Sequence, residues 1–122
     1  ENVELAGFQR DVQPFLEKAD IFVHTSMSEG LPRVVIEAMA ARLPVVAFAV
    51  DGVMETVEHG QTGYLVPLGD VDSLARAITD LIASPSLRQQ MGSAGRQRVE
   101  EHFSAAASAD KVADIIEHSM RR

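Results

Sequence analysis

The chain has 122 residues, enough for one domain with a single core, and 46% of them are hydrophobic, as in globular proteins. Its 18 acidic and 11 basic residues give a formal net charge of -7, which argues against nucleic acid or an anionic membrane surface as a partner. The lack of cysteine excludes disulfides, thiol catalysis and thiolate metal sites, and it fits a cytoplasmic location.

Short β-rich runs alternate with helical patterns through the first half of the chain. Helices are predicted at 12–18, from about Pro32, and at 53–59, and strands at VELAGF (3–8), IFVHTS (21–26), PVVAFAV (44–50) and GYLVP (63–67). The alternation predicts an α/β fold with a Rossmann-like parallel sheet and helices on both faces. Since the run 44–50 is apolar throughout, we expect it to be the central strand.

From Asp70 onward the sequence shows helical patterns only. The first, over 70–85, has one amphipathic stripe formed by Leu74, Ala77, Ile78, Leu81 and Ile82. Two further helices are predicted at 84–103 and 104–122, and all three are expected to cover the sheet. No linker interrupts the pattern, so residues 1–122 are interpreted as a single domain. Because the chain begins without methionine, we expect it to be part of a longer protein.

The segment SEGLPRVVIEAMA (28–40) carries two glutamates around a predicted helix start. The strand before it should end near Ser26, so Glu29 falls in the loop at the carboxyl end of a parallel strand, where open α/β sheets bind ligands. Pro32 suits the first helical position, and Leu31 before it has no capping side chain. The N–H groups near this start are therefore available to an anion such as a phosphate; they belong to Gly30, Leu31, Arg33 and Val34.

Glu37 falls in the second turn of this helix, eight positions after Glu29. Two carboxylates would repel a bound phosphate, so they are better suited to accept hydrogen bonds from hydroxyl groups on either side of it. The helical rise places Glu37 roughly 7 to 10 Å from the helix start, about the reach from a pyrophosphate to its ribose. The pattern favours a nucleotide-sugar as ligand. The alternative is that Glu29 is a loop charge and Glu37 lies on a solvated helix face.

The residues around this pair carry a resemblance to a known family. SEGLPRVVIEAMA followed by LPVVAFAVDGVMETVEHGQTGYLVP (43–67) resembles the carboxyl-terminal domain of retaining family 4 glycosyltransferases with the GT-B fold, also described as glycosyl transferases group 1. The shared motifs are EGLP, EAMA, PVVA, GxxE and GxxGYLVP. The resemblance extends from VELAGF and LEKADIFVHTS to SLARAITDLI and VEEHFS, which is nearly the whole chain.

The resemblance implies transfer of a glycosyl group from a nucleotide-sugar donor, with retention of configuration, to an acceptor that is a glycan, a lipid or a small molecule. It implies no metal ion and no cofactor. Glu29 would act at the donor sugar as the catalytic residue, and Glu37 would bind the ribose. The diphosphate would lie on Gly30, Leu31, Pro32, Arg33 and Val34, and the base beside Gly7 and Phe8. We expect the loops at Gly7, 28–32 and 51–53 to lie along one edge of the sheet.

The sequence departs from the family pattern in three ways. Arg42 stands where members usually have glycine, at a helix end where a left-handed backbone is common. Asp51 replaces the first of two glycines near the donor sugar. Residues 1–69 contain four basic and ten acidic residues, and the family's Arg and Lys pair for the diphosphate lies upstream. We therefore expect the acceptor-binding amino-terminal domain and the first strands of this domain to be missing here, and the chain alone to be inactive.

Other interpretations remain open at this point. A nucleotide-sugar epimerase, a phosphorylase or a non-catalytic sugar-nucleotide binder would share this fold. A receiver-type signalling domain fits the size and Asp51, but it needs an acidic pair after the first strand and a lysine at a late strand end, whereas Lys111 falls in a helical pattern. His24 is interpreted as structural. Glu55 is either a helix-face charge or, as the resemblance implies, a residue that supports the donor site, and a membrane-peripheral location of the whole protein is left open.

Overall fold

The computed structural model describes residues 2–27, 30 and 32–103. In this part the elements in chain order are α1 Gln13–Lys18, β1 Phe22–His24, α2 Arg33–Ala40, β2 Val45–Phe48, α3 Asp51–Thr56, β3 Gly63–Val66, α4 Val71–Ala83 and α5 Pro85–His102. The helix predicted at 104–122 lies outside the described residues.

The three strands form one parallel sheet in the order β1-β2-β3, with Val46 of β2 opposite Val23 of β1 and Tyr64 of β3. All four residues of β2 are buried, which confirms the prediction of a central strand. Val45 and Ala47 belong to the larger hydrophobic cluster, which includes α2 residues, whereas Val46 belongs to a second cluster with residues of α4 and α5. Because successive strand residues point to opposite faces, the sheet is covered on both sides, and the predicted α/β fold is confirmed.

Side-chain caps set the boundaries of the last two helices. The Asp70 carboxylate accepts a hydrogen bond from the Ser73 N–H at 3.0 Å and from the Ser73 hydroxyl at 2.7 Å, and these bonds lower the pKa of Asp70. Ser84 accepts from the Leu87 N–H at 3.1 Å and so begins α5 directly after α4 ends. Within α4 the predicted apolar stripe is nearly correct, but Ile82 is 64% exposed and lies outside it.

The strand predicted at VELAGF is not formed, and this prediction was wrong for the described residues. Residues 2–9 have no regular secondary structure, and Val3, Leu5 and Phe8 are 77%, 93% and 89% exposed. A strand is stable only when a neighbour accepts and donates its main-chain hydrogen bonds, and no described strand is paired with this segment. Smaller differences concern Pro32, which occupies the N-cap of α2 instead of the first helical position, and α3, which begins at Asp51 instead of Val53.

Arg42 adopts the left-handed conformation expected from its position after α2. Its φ angle is +66°, and it is the one residue other than glycine with a positive φ in the described chain. Its side chain is exposed. The Arg42 N–H donates to the Met39 carbonyl at 3.0 Å, so the conformation ends the helix with a main-chain bond. The arginine therefore carries a steric cost that glycine would not.

We expect Arg42→Gly to raise the free energy of unfolding by about 0.5 to 1 kcal/mol. The left-handed conformation costs a residue with a Cβ about 1 to 2 kcal/mol, and the greater freedom of glycine in the unfolded chain offsets part of the gain. Urea denaturation of both proteins measures the difference. Arg42→Ala is the control, since it removes the same side chain but keeps the Cβ; equal stability of the two variants would contradict the interpretation.

Candidate functional site

The proposed ligand-binding loops lie at the carboxyl edge of the sheet. Because β1 and β2 are parallel, the segment between His24 and α2 and the segment between Phe48 and α3 leave the sheet at the same edge. Gly30 and Pro32 belong to the first of these segments, and Asp51 and Gly52 begin α3 after the second. Ser28, Glu29 and Leu31 lie outside the described residues. The structure thus places the described parts of two predicted loops together.

The start of α2 has no side-chain cap, as the sequence predicts, although the N-cap is Pro32 and not Leu31. Pro32 at the N-cap is buried and provides no side-chain hydrogen bond to the first turn. The Pro32 carbonyl accepts from the Ile36 N–H at 3.1 Å, so the first regular helical bond already begins there. Arg33 is exposed and Val34 is half-buried. A helix start of this kind offers main-chain donors and the positive end of the helix dipole to an anion.

Glu37 lies half-buried on the second turn of α2. Burial raises its pKa, the neighbouring Arg33 guanidinium lowers it, and the Asp11 carboxylate raises it further. The net shift is upward from the ordinary value of 4.5, so the charged carboxylate is held in an unfavourable environment. The interpretation of Glu37 as a solvated helix-face charge is therefore not supported. Ionisable groups with a shifted pKa are common in binding and catalytic sites.

Asp11 is a neighbour of this site that sequence reasoning missed. It lies two residues before α1, the helix that leads into β1, where its carboxylate accepts a hydrogen bond from the Gln13 N–H at 3.0 Å, and it is close enough to Glu37 to affect the pKa of that residue. The available signal was topological, because a helix preceding a parallel strand begins at that strand's carboxyl edge. Gly7 and Phe8 lie further back in the exposed segment 2–10, where Gly7 has a φ of +74°.

We expect Glu37→Gln to stabilise the fold at neutral pH. A folded-state pKa above the unfolded value means that the folded state binds more protons, so the stability of the parent falls as pH rises from the unfolded pKa through the folded one. Glutamine carries no ionisable proton, so the stability of this variant does not fall as position 37 would deprotonate. Its advantage should therefore be present at pH 7 and vanish below about pH 4. Thermal denaturation between pH 3.5 and 7 measures it, with the exposed Glu17→Gln as control; an equal gain in that control would refute the explanation.

The histidines near the sheet have structural contacts. The His24 ring stacks on Phe22 with ring centroids 6.0 Å apart, and the Nδ1 atom of His59 accepts from the Leu65 N–H at 3.0 Å. Among the residues that the structure describes, no group of three or more histidine, aspartate or glutamate side chains is arranged to hold a metal ion. None of the helices in residues 2–103 as described has the length and apolar character needed to span a bilayer.

Comparison with known proteins gives a consistent result. The model of the family described as glycosyl transferases group 1 matches residues 1–98. The lipopolysaccharide core biosynthesis glycosyltransferase LpsE of Rhizobium meliloti is 34% identical over 93% of this chain and 34% of its own length. The capsular polysaccharide biosynthesis glycosyltransferase CapM of Staphylococcus aureus is 39% identical over 85% of this chain and 27% of its own length.

Solved structures with nucleotide bound are also similar. Anabaena Alr3699/HepE in complex with UDP and glucose is 28% identical, with a TM-score of 0.79, over 97% of this chain and 31% of that one. A point mutant of S. aureus TarM, in complex with fondaparinux, α-GlcNAc-glycerol and UDP, is 31% identical, with a TM-score of 0.81, over 93% of this chain and 23% of that one. The chain spans between about a quarter and a third of the length of these four relatives.

Proposed function

Because the chain belongs to the glycosyl transferases group 1 family, we propose that it forms the donor-binding part of a longer glycosyltransferase with the GT-B fold. The observation that carries the proposal is the position of Glu37, a half-buried carboxylate on α2, the helix that starts at the carboxyl edge of the parallel sheet. The solved relatives that contain UDP support a uridine nucleotide as the donor's carrier.

The donor is proposed to run along the sheet edge from the start of α1 to the start of α3. Its base would lie beside Gly7 and Phe8, and its ribose would bind Glu37. The diphosphate would lie at the start of α2, on Gly30, Leu31, Pro32, Arg33 and Val34. The sugar would then extend toward the first turn of α3, where Asp51 and Gly52 face the same edge, with Glu29 binding its hydroxyls.

The transfer is proposed to retain the anomeric configuration and to need no metal ion. The helix start contributes about half a positive charge, and Arg33 adds one, which does not balance the diphosphate. Further basic groups would come from residues outside this chain, together with the acceptor-binding domain and the strands that continue the sheet. The chain alone is therefore proposed to be inactive.

The acceptor is proposed to be a glycan, since LpsE and CapM are named for the biosynthesis of lipopolysaccharide and capsular polysaccharide. We propose a cytoplasmic location for the whole protein, peripheral to a membrane if its glycan is carried on a lipid.

The test uses the whole protein with UDP-glucose and a mixture of candidate glycan acceptors. We expect UDP release that depends on an acceptor, and a product whose anomeric proton in NMR shows the configuration of the donor. Change of the sugar without any acceptor would instead establish an epimerase, and formation of glucose 1-phosphate from glycan and phosphate would establish a phosphorylase. UDP binding without turnover under any acceptor would identify a non-catalytic binder.

The ribose role of Glu37 makes a separate prediction. We expect Glu37→Ala to raise the KM for the donor by about tenfold while kcat changes by less than threefold, because a ribose contact is equally strong in the ground state and the transition state. Initial rates at varied donor concentration measure both constants. An unchanged KM would remove the ribose assignment.

A further inference from the structure

Helix α5 carries three arginines that donate hydrogen bonds to the last turns of three other helices. Arg88 reaches the end of α4, Arg96 the end of α2 and Arg98 the end of α3. The bonds are Arg88 Nη1 to the Leu81 and Ile82 carbonyls at 2.7 and 3.0 Å, Arg96 Nη1 to the Ala40 carbonyl at 3.1 Å, and Arg98 Nε and Nη2 to the Thr56 and Glu55 carbonyls at 2.8 and 2.9 Å.

Arginine is suited to this position for two reasons. The last carbonyls of a helix have no partner within it, and they form the negative end of the helix dipole, so a cationic donor is favourable there. Each helix also follows the carboxyl end of a parallel strand. It therefore begins at the sheet edge of the proposed donor site and runs away from that edge, and α5 holds its last turn.

Arg98 has the more demanding geometry. Two different nitrogens of its guanidinium bond two successive carbonyls of α3, and a third lies 3.5 Å from a Glu58 carboxylate oxygen. The Thr56 hydroxyl in turn donates to the Gly52 carbonyl at 2.8 Å, which links this end of α3 to its first turn. A lysine side chain has a single nitrogen, so it cannot bond the Thr56 and Glu55 carbonyls in the way that the two guanidinium nitrogens do.

Arg96 bonds the end of α2 at a place where α2 and α5 pack closely together. Gly92 and Gly95 of α5 lie against Arg42 and Met39, so the two helices approach closely beside the Arg96 bond to Ala40. Arg96 also pairs with Glu100 at 3.0 Å on its own helix, which restricts its side chain. Only one carbonyl is bonded here, so a lysine could keep the contact.

We infer that Arg96 and Arg98 are positioning residues for the donor, Arg96 for the nucleotide through α2 and Arg98 for the sugar through α3. The inference rests on the proposed function. Helices α2 and α3 have only eight and six residues, so main-chain hydrogen bonds connect the last turn of each to its first turn. A displacement near 1 Å at the reacting group can cost up to about a hundredfold in rate. Arg88 makes the same kind of bond to α4, which carries none of the proposed donor-binding residues.

The experiment compares Arg96→Ala, Arg98→Ala and the matched control Arg88→Ala in the whole protein, well below each melting temperature. UDP binding is measured by calorimetry, and transfer from UDP-glucose by initial rates. We expect Arg96→Ala to weaken UDP binding by about fivefold or more, and Arg98→Ala to leave it within twofold but lower kcat by about tenfold. Arg88→Ala should lower only the melting temperature.

The lysine variants keep the inference testable if an alanine variant does not fold. Arg96→Lys should behave like the parent, whereas Arg98→Lys should keep the low kcat. If all three alanine variants, or both lysine variants, change only the melting temperature while the parent binds UDP, the inference is overturned and the proposed function stands. Absence of UDP binding by the parent would overturn both.

Discussion

Gly92→Ala is expected to lower the free energy of unfolding by about 2 to 3 kcal/mol. A Cβ at this position would overlap the Arg42 carbonyl oxygen, which belongs to the backbone and has no rotamer by which to move away. Helix α5 would have to shift away from α2, stretching the 3.1 Å bond from Arg96 to the Ala40 carbonyl and loosening the contacts of buried Met39. Overpacking of this kind costs about 1 to 3 kcal/mol, and a backbone obstacle places the cost toward the upper end.

Gly95→Ala provides the matched control on the same helix. A Cβ there would lie 3.6 Å from the nearest atom, the Cβ of Met39, which is ordinary contact. Since alanine favours a helix over glycine by about 1 kcal/mol, this variant should be as stable as the parent or more stable. Urea denaturation of both variants decides the matter. Equal stability of the two would show that α5 relaxes freely, and the close approach would then have no structural importance.

Glu29→Ala is expected to lower kcat in the whole protein by about 30- to 1,000-fold, which corresponds to about 2 to 4 kcal/mol of barrier. Positive charge develops on the sugar ring as the glycosidic bond breaks. A carboxylate that binds the sugar hydroxyls fixes the ring geometry and stabilises this charge, and both effects are larger in the transition state than in the ground state. The loss should therefore appear mainly in kcat.

Glu29→Gln separates the effect of the carboxylate on ring geometry from its effect on the positive charge. The amide keeps the shape and one acceptor oxygen but removes the negative charge, so its kcat should lie between those of the parent and of Glu29→Ala. Exposed Glu17 on α1 supplies a control, since Glu17→Ala should leave kcat within twofold of the parent. Values for both Glu29 variants within about twofold of the parent would mean that this glutamate has no part in the reaction.

Much of the fold follows from local sequence patterns. The apolar run 44–50 predicts the buried central strand because a strand covered by helices on both faces has no polar side. The helical patterns over 70–85 and 84–103 similarly predict α4 and α5 near their observed bounds. The strand at VELAGF was predicted wrongly because its composition gives only a preference, whereas its formation depends on a hydrogen-bonding neighbour elsewhere.

The features of the candidate site also fall into two groups, those that local sequence specifies and those that depend on tertiary contacts. The sequence by itself determined the family through EGLP, EAMA and GxxGYLVP, the glycine-like backbone at Arg42, and the position of Glu37 on the helix after β1, since each depends on residues close together in the chain. Only the tertiary structure decided the approach of Asp11 to Glu37 and the bonds from α5 to the ends of α2 and α3. These contacts join residues 26 to 56 positions apart, and no local pattern specifies them, because they arise only when separate elements dock on the same sheet.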